Sequence, residues 1–507
     1  MSNRTFDILI YDVSKCFDKL EYVNTANDLY TAGIKNDNFI LVANSNKSCD
    51  VAIKMPWGSL SEKTKFTNIE MQGTVLAPLK CSISIDKIAS EAKEEVKDDL
   101  YRYRECVTIP PLSMIDDILA VTKCSVNSVR VNAKLGAKID SKLLRLGEKK
   151  CSILHVGVDK SKCKELLVNG TIMKASEKEK YLGSIIASDG KTTQDILDRH
   201  SKGIGIVNQI LGLLKEVHFG HYYFEMALLF RNSMLINGML SSIEAIYTLK
   251  KTDIEHLESC DKYLFRKMLD AISTTATEAF FLETGTLPLR FVISARRLMF
   301  FHNLLSKPET ELAKQVLTAQ ILLPIKDDWI HSVRKDLEFY DIDLSDSDIS
   351  KMKKEKFKLI VMKSIREEAR KFLVNQKEAH SKPKGLAKNL KLQPYLQSKN
   401  LTLAEKQLLF KLRTFTYDCK SNFRNKFASN LNCSVCNSED TQQHLLACSI
   451  ASDIDTENVE HDDIFGSVDK QIRIVRVLKI IDQRRSLHKK ESSSNGSQVH
   501  LRVPHIQ

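Results

Sequence analysis

Glycine and proline are scarce, with 18 Gly and 10 Pro among 507 residues. That scarcity excludes collagen-like and elastin-like chains and a broadly disordered one. Long hydrophobic runs are missing too: none approaches the roughly 18 residues that a membrane-spanning helix needs. The N-terminus, Met1-Ser2-Asn3-Arg4-Thr5-Phe6-Asp7, enters an alternating apolar stretch and has no apolar signal-peptide segment. The expectation is an intracellular protein, in the nucleus, the cytoplasm or both, with no membrane partner. A disulfide framework is also excluded. Most of the 12 cysteines are scattered, and only Cys433, Cys436 and Cys448 cluster, which suits a reducing compartment and one metal site.

What is present is ordinary globular material, 43% hydrophobic and 28% charged, in a chain long enough for roughly two to four domains. The net charge is +12. Between Lys351 and Asn400 there are 15 Lys and Arg against four Glu, so one tenth of the chain carries nearly the whole excess. Such a concentration predicts a phosphate-backbone contact surface.

Periodicity divides the chain. Phe6–Asp12, Val51–Met55 and Ser152–Val156 read as strands, Tyr22–Ala32 as a helix, and Leu112–Val121 as two short strands meeting at a carboxylate pair. From Thr192 the spacing becomes helical, with a further helical block over Leu289–Leu305. A last helix is expected over Ile464–Arg485, with Asp462 and Asp463 as acids favoured at its start by the helix dipole. Its Arg473, Arg476, Lys479, Arg484 and Arg485 form a basic stripe, facing either phosphate or solvent.

Carboxylates carry the chemistry of the first part. Asp12 ends an apolar strand, and Asp116 and Asp117 sit side by side between apolar flanks. Acids forced together repel one another unless a cation neutralises them. Hard oxygen donors suit Mg²⁺, and three such groups can hold two ions for in-line phosphoryl transfer.

The words around these acids resemble the motifs of reverse transcriptases, in the right order. Tyr11-Asp12-Val13-Ser14-Lys15-Cys16-Phe17-Asp18 resembles motif A, Gln72-Gly73-Thr74-Val75-Leu76-Ala77-Pro78 motif B, and Met114-Ile115-Asp116-Asp117 motif C. Leu146-Gly147-Glu148-Lys149-Lys150 is similar to motif D and Tyr181-Leu182-Gly183 to motif E. The resemblance is to the non-LTR retrotransposon branch. It implies that Asp12 and Asp116 are the principal ligands of two catalytic Mg²⁺ ions, with Asp117 supporting. It further implies that Phe17 is the steric gate against a ribose hydroxyl, and that Gln72 and Gly73 line the nucleotide and template track. Lys150, with Lys149 as the alternative, would protonate the pyrophosphate leaving group; Tyr181, Leu182 and Gly183 would support the primer end. Met114 replaces an often aromatic residue. Only eleven residues precede Asp12, where the family has a fingers region, so the expectation is an element truncated before motif A or an incomplete gene model.

Cys433-x2-Cys436-x7-His444-x3-Cys448 has the spacing of one tetrahedral Zn²⁺ site, structural because protein fills every position. The first two cysteines are expected on a turn, His444 and Cys448 on one face of a short helix. The spacing matches the C-terminal zinc knuckle of some non-LTR elements. A restriction-like endonuclease is not recognisable after it.

The fold expected is therefore α+β: a right-hand polymerase palm over residues 1–190 and a helical thumb over 191–310. A basic helical linker (311–425), the CCHC knuckle (426–450), a C-terminal helix (460–488) and a disordered tail (489–507) follow. The activity implied is RNA-directed DNA synthesis with an RNA template, a DNA primer or target, and dNTPs. The alternative is a catalytically inactive retroelement remnant that binds nucleic acid. Nothing in the sequence marks the oligomeric state.

Overall fold

Phe-Asp-Ile-Leu-Ile-Tyr-Asp-Val-Ser is apolar on both faces of an extended chain, and it forms the central strand β1 (Phe6–Ser14). The computed structural model describes residues 5–45, 49–66, 74–147, 150–158, 163–247, 249–379, 385–423, 426, 430–456 and 458–495. The chain is mixed helix and sheet and divides into two units. One comprises Met1–Asp195 with Lys307–Ile330, the other Ile196–Ser306 with His331–Gln507.

In the first unit β1 is flanked by β2 (Leu112–Met114), β3 (Asp117–Thr122), β4 (Arg145–Leu146), β5 (Ser152–Val156), β6 (Leu166–Val168) and β7 (Thr171–Ala175). The order is β6-β7-β5-β1-β3-β2, with β4 paired to the end of β1. Pairing is antiparallel on both sides of β1, Asp12 lying opposite Asp117 and Asp7 opposite His155. Because side chains alternate along a strand, one face of β1 presents Leu9, Tyr11 and Val13 and the other Ile8, Ile10 and Asp12. The first face is covered by two helices, α1 (Ala77–Val96) and α2 (Ser125–Ser141). Their stripes Cys81, Ile85, Ile88, Ala92, Val96 and Val131, Leu135, Ile139 recur at helical spacing and join the main core. The second face is covered by a hairpin, β8 (Lys178–Tyr181) and β9 (Ser184–Ala187), through Tyr181 and Ile186.

A buried polar knot ties β1 to β5 and to α2. Asp7 accepts from Ser128 Oγ at 2.7 Å and lies 2.7 Å from His155 Nδ1. With both carboxylate oxygens partnered, its burial is compensated.

In the second unit, α3 (Thr193–Glu216) begins at the division and leads into α4 (Lys251–Met268), α5 (Thr277–Thr284) and α6 (Leu289–Leu305). Then come α7 (Lys354–Ala379), α8 (Leu403–Arg413), α9 (His444–Ala447) and α10 (Val468–Asn495). Phe265, Phe280, Phe281 and Phe410 pack ring against ring at its centre. Two bidentate pairs are buried there: Arg231 on Asp261 at 2.6 Å and Arg413 on Glu283 at 2.9 Å. The excursion Lys307–Ile330, with the helix Leu312–Leu322, returns to the first unit, where Arg104 donates to the Ala319 carbonyl at 3.0 Å and pairs with Asp328.

Several expected boundaries move. The strand over Val51–Met55 is replaced by Cys49–Val51 paired to Thr64–Phe66; Ile53 is exposed, so nothing buries the alternating pattern beyond it. The last helix does not start at Ile464: a separate turn of 3-10 helix, His461–Phe465, is closed by a Glu460–Asp463 capping box and ends at Gly466. α10 then runs to Asn495, so residues 489–495 of the expected disordered tail are helical; no glycine or proline interrupts α10 before Gly496. No helix among the described residues is long and apolar enough to cross a membrane.

Candidate functional site

Strand alternation and a tight turn bring three acids together. Asp12 and Asp117 are Cα partners across β1 and β3, which puts both side chains on the hairpin-covered face. Met114 pairs with Asp117, so Ile115 and Asp116 are the two loop residues of the β2–β3 hairpin. Ile115 has φ 58°, a left-handed conformation that a β-branched side chain resists. Its side chain packs against the main core, which holds the turn in that shape. The Asp116 carbonyl in turn accepts from Val13 N–H at 3.1 Å, stitching the turn to the residue after Asp12.

The loop after β4 closes the other side. Gly147 N–H donates to the Asp12 carbonyl at 2.8 Å, and Lys150 N–H donates back to the Gly147 carbonyl at 3.1 Å. The Lys150 ammonium then lies 3.0 Å from Asp12 Oδ1, with 71% of its side chain exposed. Its hydrogen bond to Asp12 and the negative charge there hold its pKa above the ordinary lysine value. Burial, together with the charges of Asp116 and Asp12, holds the Asp117 carboxyl above the usual carboxylate range, with Lys150 opposing. Three acids beside one lysine leave a site in need of positive charge.

Gly147 itself was not singled out from sequence. A Cβ there would stand 2.7 Å from Asp12 Oδ2, so the carboxylate occupies the space that only glycine leaves. Its position directly after the short strand β4, in the words resembling motif D, is the only sequence signal for it.

Tyr181 lies on the same face. Burial first, and the Asp117 charge second, push its hydroxyl pKa up. Leu182 and Gly183 form the β8–β9 turn with φ 46° and 86°, and Leu182 is exposed at its tip. A leucine in that conformation costs free energy that a glycine would not, and more than half of its surface stays exposed. Phe17, in the short helix Cys16–Lys19, is half-buried against the core. Gln72, Gly73 and Lys149 lie outside the described residues.

The second cluster is in the other unit. Cys433, Cys436, His444 and Cys448 place one ligand atom each within 4.8 Å of the others. Cys433 and Cys436 sit on a turn made by Cys433 N–H to the Ser438 carbonyl (2.7 Å) and Asn437 N–H to the Cys433 carbonyl (3.0 Å), with Asn437 at φ 62°. Cys448 Sγ is 3.8 Å from both Cys433 Sγ and Cys436 Sγ, and Cys436 Sγ is 3.1 Å from His444 Nε2. Zinc–sulfur bonds of about 2.3 Å in a tetrahedron separate sulfurs by about 3.8 Å, so the donor set fits a Zn²⁺ ion. Cys448 is the extended residue just after α9 instead of part of it, a small departure from the expected shared helical face.

The basic stripe of α10 is largely neutralised. Arg485 is buried and donates from one guanidinium nitrogen to both Asp440 oxygens (3.0 and 3.1 Å), Arg484 pairs with Asp453, and Lys479 lies 3.1 Å from Glu405. Lys479 and Arg484 still reach solvent in part, and Arg473 and Arg476 are exposed, whereas Arg485 is turned inward and anchors the Cys433–Cys448 segment through Asp440.

Comparison with known proteins gives little. No family model and no curated protein matches. Solved structures that resemble the chain include apo telomerase from Candida tropicalis, at 13% identity and TM-score 0.32, covering 70% of this chain and 53% of that one. A second is telomerase from Candida albicans in complex with a fragment of telomeric RNA, at 14% identity and TM-score 0.27, covering 62% and 49%. A C-terminally truncated apo telomerase from Candida tropicalis matches at 14% identity and TM-score 0.27, covering 36% and 34%. The chain thus spans one third to about half the length of these proteins, and likenesses this slight carry no argument about fold or activity.

Proposed function

We propose that the chain is an RNA-directed DNA polymerase of the non-LTR retrotransposon kind, with the sheet and its covering helices as the palm and α3 opening the thumb. The observation that carries this reading is the pairing of Asp12 with Asp117, with Asp116 in the adjoining turn and Lys150 against Asp12. Donors that are all carboxylate oxygen suit Mg²⁺, with Asp12 and Asp116 as main ligands and Asp117 supporting. When bound, two such ions supply an activated primer 3′ oxygen and charge neutralisation at the phosphorus.

The remaining roles fall to this chain's side chains. Lys150, exposed at its tip, meets the triphosphate end and delivers a proton to pyrophosphate. Phe17 rejects a ribose hydroxyl, and Gln72 with Gly73 lines the nucleotide track. The Tyr181-Leu182-Gly183 turn, presenting an exposed leucine beside the acids, supports the primer end. The Cys3His cluster holds a structural Zn²⁺, since no ligand position is left open. Template RNA, DNA primer and dNTPs are the partners.

Primer extension on an RNA template with Mg²⁺ tests this. The intact chain should incorporate dNTPs, and Asp116→Ala should lower the rate by about a thousandfold, the loss of several kcal/mol of transition-state stabilisation. Extension that survives Asp116→Ala contradicts the reading. RNA binding without any incorporation by the unaltered chain establishes the inactive remnant in its place.

A further inference from the structure

The basic segment Lys351–Asn400 divides in two once its folding is known. α7 is anchored by Phe357, Val361, Ile365, Ala369 and Leu373, an unbroken stripe every fourth residue. In its C-terminal half and just beyond, Arg370, Lys371, Lys377 and Lys388 have partners. Arg370 is bidentate to Glu367 (2.7 and 3.1 Å) and Lys371 is 2.6 Å from Glu368. Lys388 is 3.0 Å from Glu378, while Lys377 is buried and donates to the Leu386 carbonyl at 2.6 Å.

The N-terminal part differs. Lys353, Lys354, Lys356, Lys358 and Lys363 are all exposed, and none forms an ion pair with a described residue. Glu355 is the lone acid from Lys351 to Arg366. Two features make this placement costly for the fold alone. Lys354 and Lys356, in the first turn, oppose the helix dipole, at about 0.3–1 kcal/mol each at low ionic strength. Lys354 and Lys358 are also like charges four residues apart, a destabilising spacing. Nor does the lysine cluster hold the helix down, since the apolar stripe does that. Leu359, 73% exposed among the lysines, adds an apolar contact point.

We propose that this end of α7 is a binding surface for the phosphate backbone of a nucleic-acid strand, and that the paired cations Arg370, Lys371 and Lys388 are not part of it. From Lys353 to Lys363 the helix rises about 15 Å, the axial length of about four phosphates of one strand. A row of evenly spaced anions of that length satisfies lysines on several flanks of one helix; a single carboxylate on a protein partner satisfies one. The proposal takes its choice of ligand from the polymerase reading but concerns binding alone.

The test is the salt dependence of binding of a fluorescent single-stranded RNA, without Mg²⁺ or nucleotides. Replacing the five lysines with Gln should lower the log–log slope by roughly 3, at about 0.7 per lost phosphate contact, and weaken binding at least about tenfold near 0.1 M salt. The same five changed to Arg should keep the slope. Arg370→Gln with Lys371→Gln and Lys388→Gln should leave it unchanged. Because neither Mg²⁺ nor nucleotide is present, the outcome does not depend on polymerase activity, which keeps a failed polymerase assay separate from a failed surface. An unchanged slope in the five-Gln variant overturns the proposal, as does equal loss in the three-Gln variant. So does a five-Gln variant that loses binding to phosphatidylserine vesicles while keeping RNA.

Discussion

Asp12 is seated against a glycine, and that contact sets the most local expectation. Gly147→Ala brings a methyl group within 2.7 Å of Asp12 Oδ2, and the strand pairing of β1 leaves the carboxylate little to yield except its own direction. Mn²⁺ affinity of the first unit should fall about tenfold or more, with a change in unfolding free energy of only about 1 kcal/mol. Unchanged Mn²⁺ affinity would show that the Asp12 carboxylate is free to move. Asp117 gives the converse. Burial and two acidic neighbours oppose its charge, so Asp117→Asn in metal-free buffer should stabilise the chain by about 0.5–2 kcal/mol while removing activity, as expected where a site is strained for function. Denaturant titration checks this, and a destabilised variant contradicts it.

At the scale of elements, the sequence was informative wherever burial is periodic. β1, β5, α6 and the β2–β3 pair fall within two residues of their expected ranges, because apolar spacing and a buried face agree. The Cys3His cluster was legible for another reason: metal-ligand spacing is written locally in the chain. Contacts between distant residues were not legible. Arg485 looked like one cation of a stripe, and only the folded chain puts it on Asp440 beside the turn that carries Cys433 and Cys436. Arg485→Met leaves the buried Asp440 carboxylate without its counter-charge and with the Lys420 N–H as its remaining partner, a loss of about 3 kcal/mol in the second unit measurable by urea unfolding.

The same unit holds a stacked pair, His200 over His256 at 4.0 Å between ring centres. Burial and the neighbouring imidazole hold His200 below the ordinary histidine value. The unfolded chain therefore takes up the proton first, so this contribution to stability is present above pH ~6.5 and is lost as pH falls below it. His256→Gln should flatten the fall in unfolding midpoint between about pH 7 and 5.5; an equal fall in both proteins contradicts that assignment.

For the whole molecule, two units with separate cores imply separate responses. Chelating zinc should raise hydrogen exchange over residues 430–452 and leave the amides of β1 and β3 protected. Exchange rising in β1 as well would contradict that separation. The division itself was only partly legible. The change to helical spacing near Thr192 is visible, but the return of Lys307–Ile330 to the first unit depends on Arg104, whose partners lie more than 200 residues away. Lysine count alone likewise marked the whole of Lys351–Asn400, and only pairing within the fold sets Arg370, Lys371 and Lys388 apart from the lysines at the start of α7.

Counting divalent ions on the zinc-loaded chain is the most direct measurement of all. Mn²⁺ titration followed by electron paramagnetic resonance should find a site, filling towards two ions as nucleotide is added, that disappears in Asp12→Asn and in Asp116→Asn alike. Mn²⁺ binding indifferent to both substitutions would mean that the three acids share no cation.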